Sequence, residues 1–375
     1  MPKSLFRRLT KKFFIVSNII LAVLFLLGCY GGWADPKTWW PLGFLTLAAF
    51  YLLLLLIGFI IFWLFIKPWW SLISVVAILL AYKPVTNIIP VRFSSSFDKQ
   101  KQPAALRIMS WNVEHFDILE HKQHPEKKQQ MLQLIGEYQP DIACYQEMVG
   151  SDKVEKAINY IPDMIQGEGF TDYHYSFNQK LDFDANHHFG IIIFSKYPII
   201  NKQTISFYPN DYNSIFQYAD IVKGEDTVRV FNIHLQSLKF SATNLEYIEK
   251  PDITADEDLK KSKSLISKLK TGFLKRKKQA ERIKEEMDKS PYPVIVCGDF
   301  NDVPNSYSYN TIGQGLKNTF KEKGSGIGRT FSGISPTLRI DNIFAADRFT
   351  VKQFLRIPKK LSDHFPIFAD VQLEK

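Results

Sequence analysis

Val294-Ile295-Val296-Cys297-Gly298-Asp299-Phe300-Asn301-Asp302 passes from an apolar run straight into a cluster of acids and amides. A short run of this kind, apolar on both sides and rich in β-branched residues, reads as a strand covered on both faces. The same pattern recurs at Leu106–Trp111, Asp141–Gln146, Gly190–Ser195, Val228–His234, Arg339–Ala345 and Pro366–Leu373. Helical periodicity appears at 125–138 and about 258–289. Buried strands alternating with helices predict an α/β domain.

The polar residues at the ends of these runs are the informative part. Asn112 follows Met109-Ser110-Trp111, and Glu147 follows Cys144-Tyr145-Gln146. His234 ends Val230-Phe231-Asn232-Ile233, and Asp299 and Asn301 follow Val296-Cys297-Gly298. Asp341 lies within Arg339–Phe344, while Asp363 and His364 precede Phe365-Pro366. Strand ends on one rim of a layered sheet converge on one cleft, so these groups are expected to share a site. Glu147, Asp299 and His364 end apolar strands that have no local need of charge. Asp341, inside a strand, needs a partner such as His364. Asn112 also reads as a strand-end cap. Oxygen-rich ligands suit a hard cation, Mg²⁺ or Mn²⁺, better than zinc.

Taken in order, Ser110-Trp111-Asn112-Val113, Tyr145-Gln146-Glu147, Asn232-Ile233-His234-Leu235, Gly298-Asp299-Phe300-Asn301-Asp302, Arg339-Ile340-Asp341 and Ser362-Asp363-His364-Phe365-Pro366 resemble the motif set of the endonuclease/exonuclease/phosphatase superfamily. The resemblance covers roughly 106–375. It implies a four-layer αββα sandwich of two mixed sheets and Mg²⁺-dependent hydrolysis of a phosphate ester, with Mn²⁺ as the alternative ion. It implies that Glu147 is the principal metal ligand, helped by Asn112 and Asp363. Asp299, with Asn301, would orient and deprotonate the attacking water. His364, held cationic by Asp341, would donate to a phosphate oxygen, and His234 would lie near the leaving group or phosphate. Asn342 departs from the family, which usually has Tyr after the motif Asp. His187 and His188 lie near the family's cleft-side loop and read equally as solvated residues. His115, His121, His124 and His174 carry no readable signal.

Outward from this domain the composition changes. Residues 1–90 hold eight Lys/Arg, one acid (Asp35) and six of the seven Trp, whereas the remainder is close to neutral. The net charge of +9 therefore does not by itself point to nucleic acid. Candidate membrane spans are 13–30, 41–66 and, more weakly, 69–89, the second running 26 residues without a charge. About 20 apolar residues suffice to cross a bilayer as helix. Trp39, Trp40, Trp69 and Trp70 sit at span ends, where such rings favour the interface. Lys3, Arg7, Arg8, Lys11 and Lys12 before the first span place the N-terminus in the cytoplasm. Three crossings of the cell (inner) membrane then put residues 105–375 outside it; two would leave them in the cytoplasm. Residues 91–104, with Ser94-Ser95-Ser96, read as a linker. A lipoprotein reading of Leu26-Leu27-Gly28-Cys29 fits poorly, and Cys144 and Cys297 read as core residues.

Between His234 and Asp299 the chain inserts a basic segment. Residues 260–289 carry 12 Lys/Arg and four acids. Ile266, Leu269, Phe273, Ala280, Ile283 and Met287 mark an apolar stripe, and Lys275-Arg276-Lys277-Lys278 is expected on or beside the polar face. Such a helix reads as a solvated face or as a contact with anionic lipid. Together these features predict a multi-pass, membrane-anchored phosphoesterase that cleaves a phosphodiester, with nucleic acid or phospholipid and inositol phosphate as substrate classes. The alternatives are a sequence-nonspecific nuclease and a non-catalytic tethered binding domain.

Overall fold

The computed structural model describes the backbone of all residues except 1–2, 94–95, 121, 152–158, 180–181, 183–185, 208–214, 239–255 and 375. Ser94 and Ser95 of the expected linker, and His121, thus lie outside the described residues. The chain forms two compact units, Met1–Ile89 with Val303–Asn310, and Pro90–Asp302 with Thr311–Lys375.

The first unit contains α1 (Lys3–Tyr30), α2 (Pro36–Trp39), α3 (Leu42–Ile66), α4 (Ser71–Leu80) and α5 (Tyr82–Ile88). Two helical stretches, Phe6–Trp33 and Leu42–Ile66, are long and apolar enough to cross a membrane. Gly28 lets α1 and α3 approach closely: a Cβ there would lie 2.5 Å from the Leu45 carbonyl oxygen. Small residues at such crossings are what membrane helices use in place of a hydrophobic drive. The third expected span is a bent pair rather than one straight helix, with 73° between Pro68–Leu80 and Tyr82–Ile88. Pro84 explains the bend, because it has no N–H to donate to the Leu80 carbonyl. The Tyr30 hydroxyl donates to that carbonyl instead, at 2.6 Å.

The second unit is built on two six-stranded sheets. One runs β11 (Phe349–Arg356), β12 (Ile367–Leu373), β1 (Leu106–Asn112), β2 (Ile142–Gly150), β4 (His188–Ser195) and β3 (Asp172–Phe177). The other runs β5 (Ile199–Ser206), β6 (Ile215–Lys223), β7 (Asp226–His234), β8 (Val294–Asp299), β10 (Asp341–Ala346) and β9 (Leu316–Asn318). Both are mixed: β1 pairs parallel with β2 and β7 parallel with β8, while the other pairings are antiparallel.

Side chains two apart on a strand share a face, and the two faces of these buried strands feed two separate cores. Leu106, Ile108, Ile142 and Cys144 meet Ala219, Val230, Ile295 and Cys297 between the sheets. Met109, Trp111, Ala143 and Tyr145 face the other way and pack with Met131, Leu134 and Ile135 of α6 (Pro125–Tyr138) and Met164 of α7 (Ile161–Gly167). Phe273, Ala280, Ile283 and Met287, on one stripe of α8 (Asp256–Asp288), are buried. The result is the four-layer αββα sandwich. All three cysteines are free and buried, Cys144 and Cys297 in the inter-sheet core.

Candidate active site

The parallel pairs β1–β2 and β7–β8 carry their C-terminal ends to one rim, where Asn112, Glu147, His234 and Asp299 are found. In the second sheet His234 pairs in register with Asp299, and Asp299 with Asp341. Asp341 is the first residue of β10 rather than an interior one, since the strand begins there and not at Arg339. Gly298 permits this arrangement. Its φ is +145°, and a Cβ would fall 2.0 Å from the Ile233 carbonyl oxygen, so only glycine fits.

Glu147 does not end its strand. β2 continues to Gly150 through a register shift between Tyr145 and Met148, with Glu147 at φ +55°. A bulge of this kind re-aims one side chain, and bulges concentrate beside functional sites. Asn301 also takes a positive φ, +49°, a conformation asparagine tolerates.

His364 lies between two carboxylates. Its Nδ1 is 2.8 Å from Asp341 Oδ2 and its Nε2 3.7 Å from Asp299 Oδ2. Trp111 Nε1 donates to the His364 carbonyl at 3.0 Å, and the Ser362 hydroxyl accepts from the His364 N–H at 3.1 Å. Burial alone would lower the imidazole pKa, but Asp341 and Asp299 override it and raise the value well above normal. Asp299, 1% exposed, accepts from the Asn301 N–H at 2.8 Å and the Asn112 amide at 3.3 Å. Burial nevertheless pushes its carboxyl up to about 7.

Beside this chain stands a second group of acids. Burial, with Asp363 next in weight, pushes Glu147 up to about 7. His234 Nε2 lies 3.7 Å from Glu147 Oε1 and 3.6 Å from Asp299 Oδ2. Asp363 Oδ1 is 4.0 Å from His364 Nε2. All eight expected site residues are thus on this rim.

Two further residues reach the rim. Glu114 accepts the Asp363 N–H at 2.9 Å, and its carboxyl is raised by burial and by Asp363. His115 Nε2 stands 3.9 Å from Glu147 Oε2. Residues Glu114 to Asp117 all have positive φ, a tight turn that brings both side chains back to the rim. The only available signal was their place directly after Asn112-Val113. Gln146 and Asn232 lie buried beneath the rim. The Gln146 amide donates to Asn232 Oδ1 at 2.7 Å, and the Asn232 amide donates to the carbonyls of Tyr145 and Ile192, tying one sheet to the other beneath the site.

Five carboxylates therefore face one imidazolium, and burial pushes two of them, Glu147 and Asp299, up to about 7 even though His364 and Asn112 act the other way. Carboxylate and amide oxygens in this excess fit a hard divalent cation. Asp299, Asp341 and His364 also lie close enough together to hold an ion. The His364 Nδ1, however, is already engaged by Asp341 Oδ2 at 2.8 Å.

The sequence family described as Endonuclease/Exonuclease/phosphatase family matches residues 109–364. The chain belongs to this family of phosphoester hydrolases, which depends on divalent metal. Residues 11–88 match a domain of unknown function, DUF8431. No curated protein matches the chain. Among solved structures, the chain is similar to an endonuclease/exonuclease/phosphatase from Beutenbergia cavernae, with TM-score 0.50, 17% identity and 72% of each chain covered. A family protein from Leptotrichia buccalis gives TM-score 0.50 and 18% identity over 72% of this chain and 100% of that one. D. rerio TDP2, complexed with single-strand DNA product, gives TM-score 0.50 and 17% identity over 72% and 99%.

Proposed function

We propose that the chain is a membrane-anchored, Mg²⁺-dependent phosphodiesterase. Glu147, Asn112 and Asp363 would hold the ion, and Asp299, Asn301, His364, Asp341 and His234 would act on the phosphoryl group. The observation that carries this reading is the Asp341–His364–Asp299 chain lying beside Glu147 and Asp363. When bound, the ion supplies positive charge that offsets the anionic phosphate. Asp299, raised to about 7, is basic enough to take a proton from an attacking water. Asn301 fixes that carboxylate through its backbone N–H and its amide. The His364 imidazolium, anchored at Nδ1, presents its Nε2–H to a non-bridging oxygen, where charge builds in the transition state. The water oxygen bonds to phosphorus as its proton passes to Asp299, the ester P–O bond breaks, and the departing oxygen leaves on the side of His234 and takes up a proton from solvent.

The membrane topology that goes with this reading is three crossings, with the catalytic domain outside the cytoplasm. Contacts between α1 and the α4 segment support it. Lys11 Nζ lies 5.8 Å from the Trp70 ring, the Ser74 hydroxyl donates to Asn18 at 2.7 Å, and Tyr30 reaches Leu80. The end of α4 is therefore level with the far end of α1, as a crossing requires.

The test is a substrate panel on the full chain in detergent, with Mg²⁺, Mn²⁺ or EDTA. The panel is duplex and single-stranded DNA, RNA, phospholipid vesicles, inositol phosphates, bis-p-nitrophenyl phosphate and its monoester. Metal-dependent cleavage of a diester is expected. Cutting of nucleic acid alone would favour a sequence-independent nuclease. Silence with both metals would leave a binding module.

A further inference from the structure

Glu147 reaches the rim because β2 breaks step. Ala143 and Tyr145 face the helix-side core, and strict alternation would send Glu147 there with them. Met148 takes that place instead, while Gln146 and Glu147 together oppose the single residue Ile191 of β4. A bulge of this kind disrupts the ladder locally, so something must hold the strand in its shifted register.

The hold comes from the opposite sheet. Asn232 of β7 is buried, in register with Cys297 of β8. Its carboxamide makes three bonds. The two N–H groups go to the Tyr145 carbonyl at 3.0 Å and the Ile192 carbonyl at 2.9 Å, and Oδ1 accepts from Gln146 Nε2 at 2.7 Å. Tyr145 and Ile192 are the last β2–β4 pair before the register shift, and Gln146 is the first residue of the bulge. Gln146 Nε2 also reaches the Cys144 carbonyl at 3.2 Å, and the Gln146 carbonyl accepts the Val113 N–H at 3.0 Å. Two donors and an acceptor on one short planar group are what asparagine offers; aspartate supplies only the acceptor and leucine neither.

Joining the sheets does not require this group. They already meet through Ile108, Cys144, Val230 and Ile295, and a buried hydrogen-bonded amide adds little net stability over apolar packing. The level at which it sits supplies the reason. His234, two residues on and on the same face of β7, places Nε2 3.7 Å from Glu147 Oε1. One strand therefore touches both the backbone beside Glu147 and its carboxylate. We propose that Asn232 is a positioning residue for Glu147, clamping the β2 bulge in the register that turns this carboxylate to the rim. The consequence for metal rests on the reading of Glu147 as a ligand given above; the clamp itself rests on the three bonds.

The test uses the full chain in detergent. Asn232→Leu fills the space without any of the bonds, and Asn232→Asp keeps the shape and the acceptor without the donors, so either reads if the other fails to fold. Asp220→Asn is the control: it breaks the buried pair with Arg229, toward the other end of β7, and should cost stability without touching the bulge. Hydrogen exchange of residues 145–150 is followed in EDTA, well below the unfolding temperature. It should quicken about tenfold in the Asn232 variants and stay as in wild type in Asp220→Asn. Calorimetric Mg²⁺ binding should weaken at least about tenfold in the Asn232 variants and be unchanged in Asp220→Asn. Unchanged exchange in the Asn232 variants overturns the clamp. Faster exchange with unaltered Mg²⁺ affinity, or with affinity equally reduced in Asp220→Asn, makes Asn232 a structural bond alone and overturns the positioning role. If wild type binds no Mg²⁺, or Glu147→Gln binds it as wild type does, the reading of Glu147 as a ligand fails, and the exchange measurement alone decides the clamp.

Discussion

His364 Nδ1 stands 2.8 Å from Asp341 Oδ2, and this contact fixes both the orientation and the charge of the imidazole. Neither residue is more than 5% exposed. The pair turns a histidine, normally half-titrated near neutrality, into a standing cation on the acidic rim.

Asp341→Asn removes that charge while keeping the shape. The expected result is a fall in kcat of about 10²–10⁴ with little change in KM, because the role proposed for the imidazolium is in the transition state. The alkaline limb of the pH–rate profile should move to lower pH, since the raised His364 value depends on Asp341 and Asp299. The check is a pH series of kcat for the variant against wild type. Unchanged kcat would show that His364 needs no carboxylate partner.

Glu147→Gln tests the ion site. Calorimetric Mg²⁺ binding should be lost, with metal-dependent turnover, while circular dichroism stays as in wild type. With Glu147 as the proposed ligand, the ion and a proton would compete for its carboxyl, which burial pushes up to about 7. Mg²⁺ affinity should therefore fall as pH drops from 8 to 6, by about tenfold per unit once Glu147 is protonated. Stability without metal should run the opposite way. Between the unfolded value near 4.3 and the folded value, the folded state binds the extra proton, so stability falls as pH rises through that window. His364 acts in the same direction: its contribution is complete below its unfolded value and fades as pH climbs through the raised folded one. Thermal scans with EDTA at pH 5 and pH 8 give the comparison, and Mg²⁺ should stabilise more at pH 8.

The seven strands legible from sequence are β1, β2, β4, β7, β8, β10 and β12, all interior to the two sheets. They are covered on both faces and so read as apolar runs. Four of the five that were not legible, β3, β5, β9 and β11, are the edge strands. Lys202, Gln203 and Thr204 of β5 are all exposed, and the strand's pattern is no different from that of a polar loop. The fifth, β6, lies next to that edge and carries Asp220, buried only because it pairs with Arg229 of β7 at 2.7 Å. At the site, residues ending apolar runs stood out. Glu114 and His115 did not, because a left-handed turn rather than a strand end delivers them. Arg276 did not stand out either, because it lies in the run Lys275-Arg276-Lys277-Lys278 and only the fold supplies Asp302.

Gly298→Ala tests whether the close approach of β8 to β7 carries the site. The new Cβ would meet a backbone carbonyl, which cannot swing aside as a side chain does. Adding the strain of φ +145°, a loss of about 2–4 kcal/mol is expected. Thermal unfolding of the full chain in detergent, compared with Gly315→Ala, gives the measurement. Gly315 also has a positive φ, +77°, but nothing lies within 4 Å of its Cβ position. Equal losses in the two variants would mean that backbone strain alone, and not the β7–β8 contact, sets the cost.

The last expectation concerns the side of the membrane. A phosphatase or β-galactosidase reporter fused after Asp98 reads the side on which α4 and α5 deliver the chain. Five basic residues precede the first span, and such charges stay in the cytoplasm. α1 and α3 are long enough to cross and return. The outcome then depends on α4, whose ten residues give only about 15 Å of helix. Its register against α1 answers the shortfall, because Lys11 reaches Trp70 at one end and Tyr30 reaches Leu80 at the other. Long side chains at both ends thus make up the length, and the Leu80 carbonyl freed by Pro84 is satisfied, as a broken helix within a bilayer requires. Phosphatase activity, without β-galactosidase activity, is the expected result. Tyr30→Phe should weaken it by removing the donor to Leu80, giving a mixed population that reports on both reporters. β-Galactosidase activity alone in the wild type would mean that α4 turns back, and the substrate would then have to be sought in the cytoplasm.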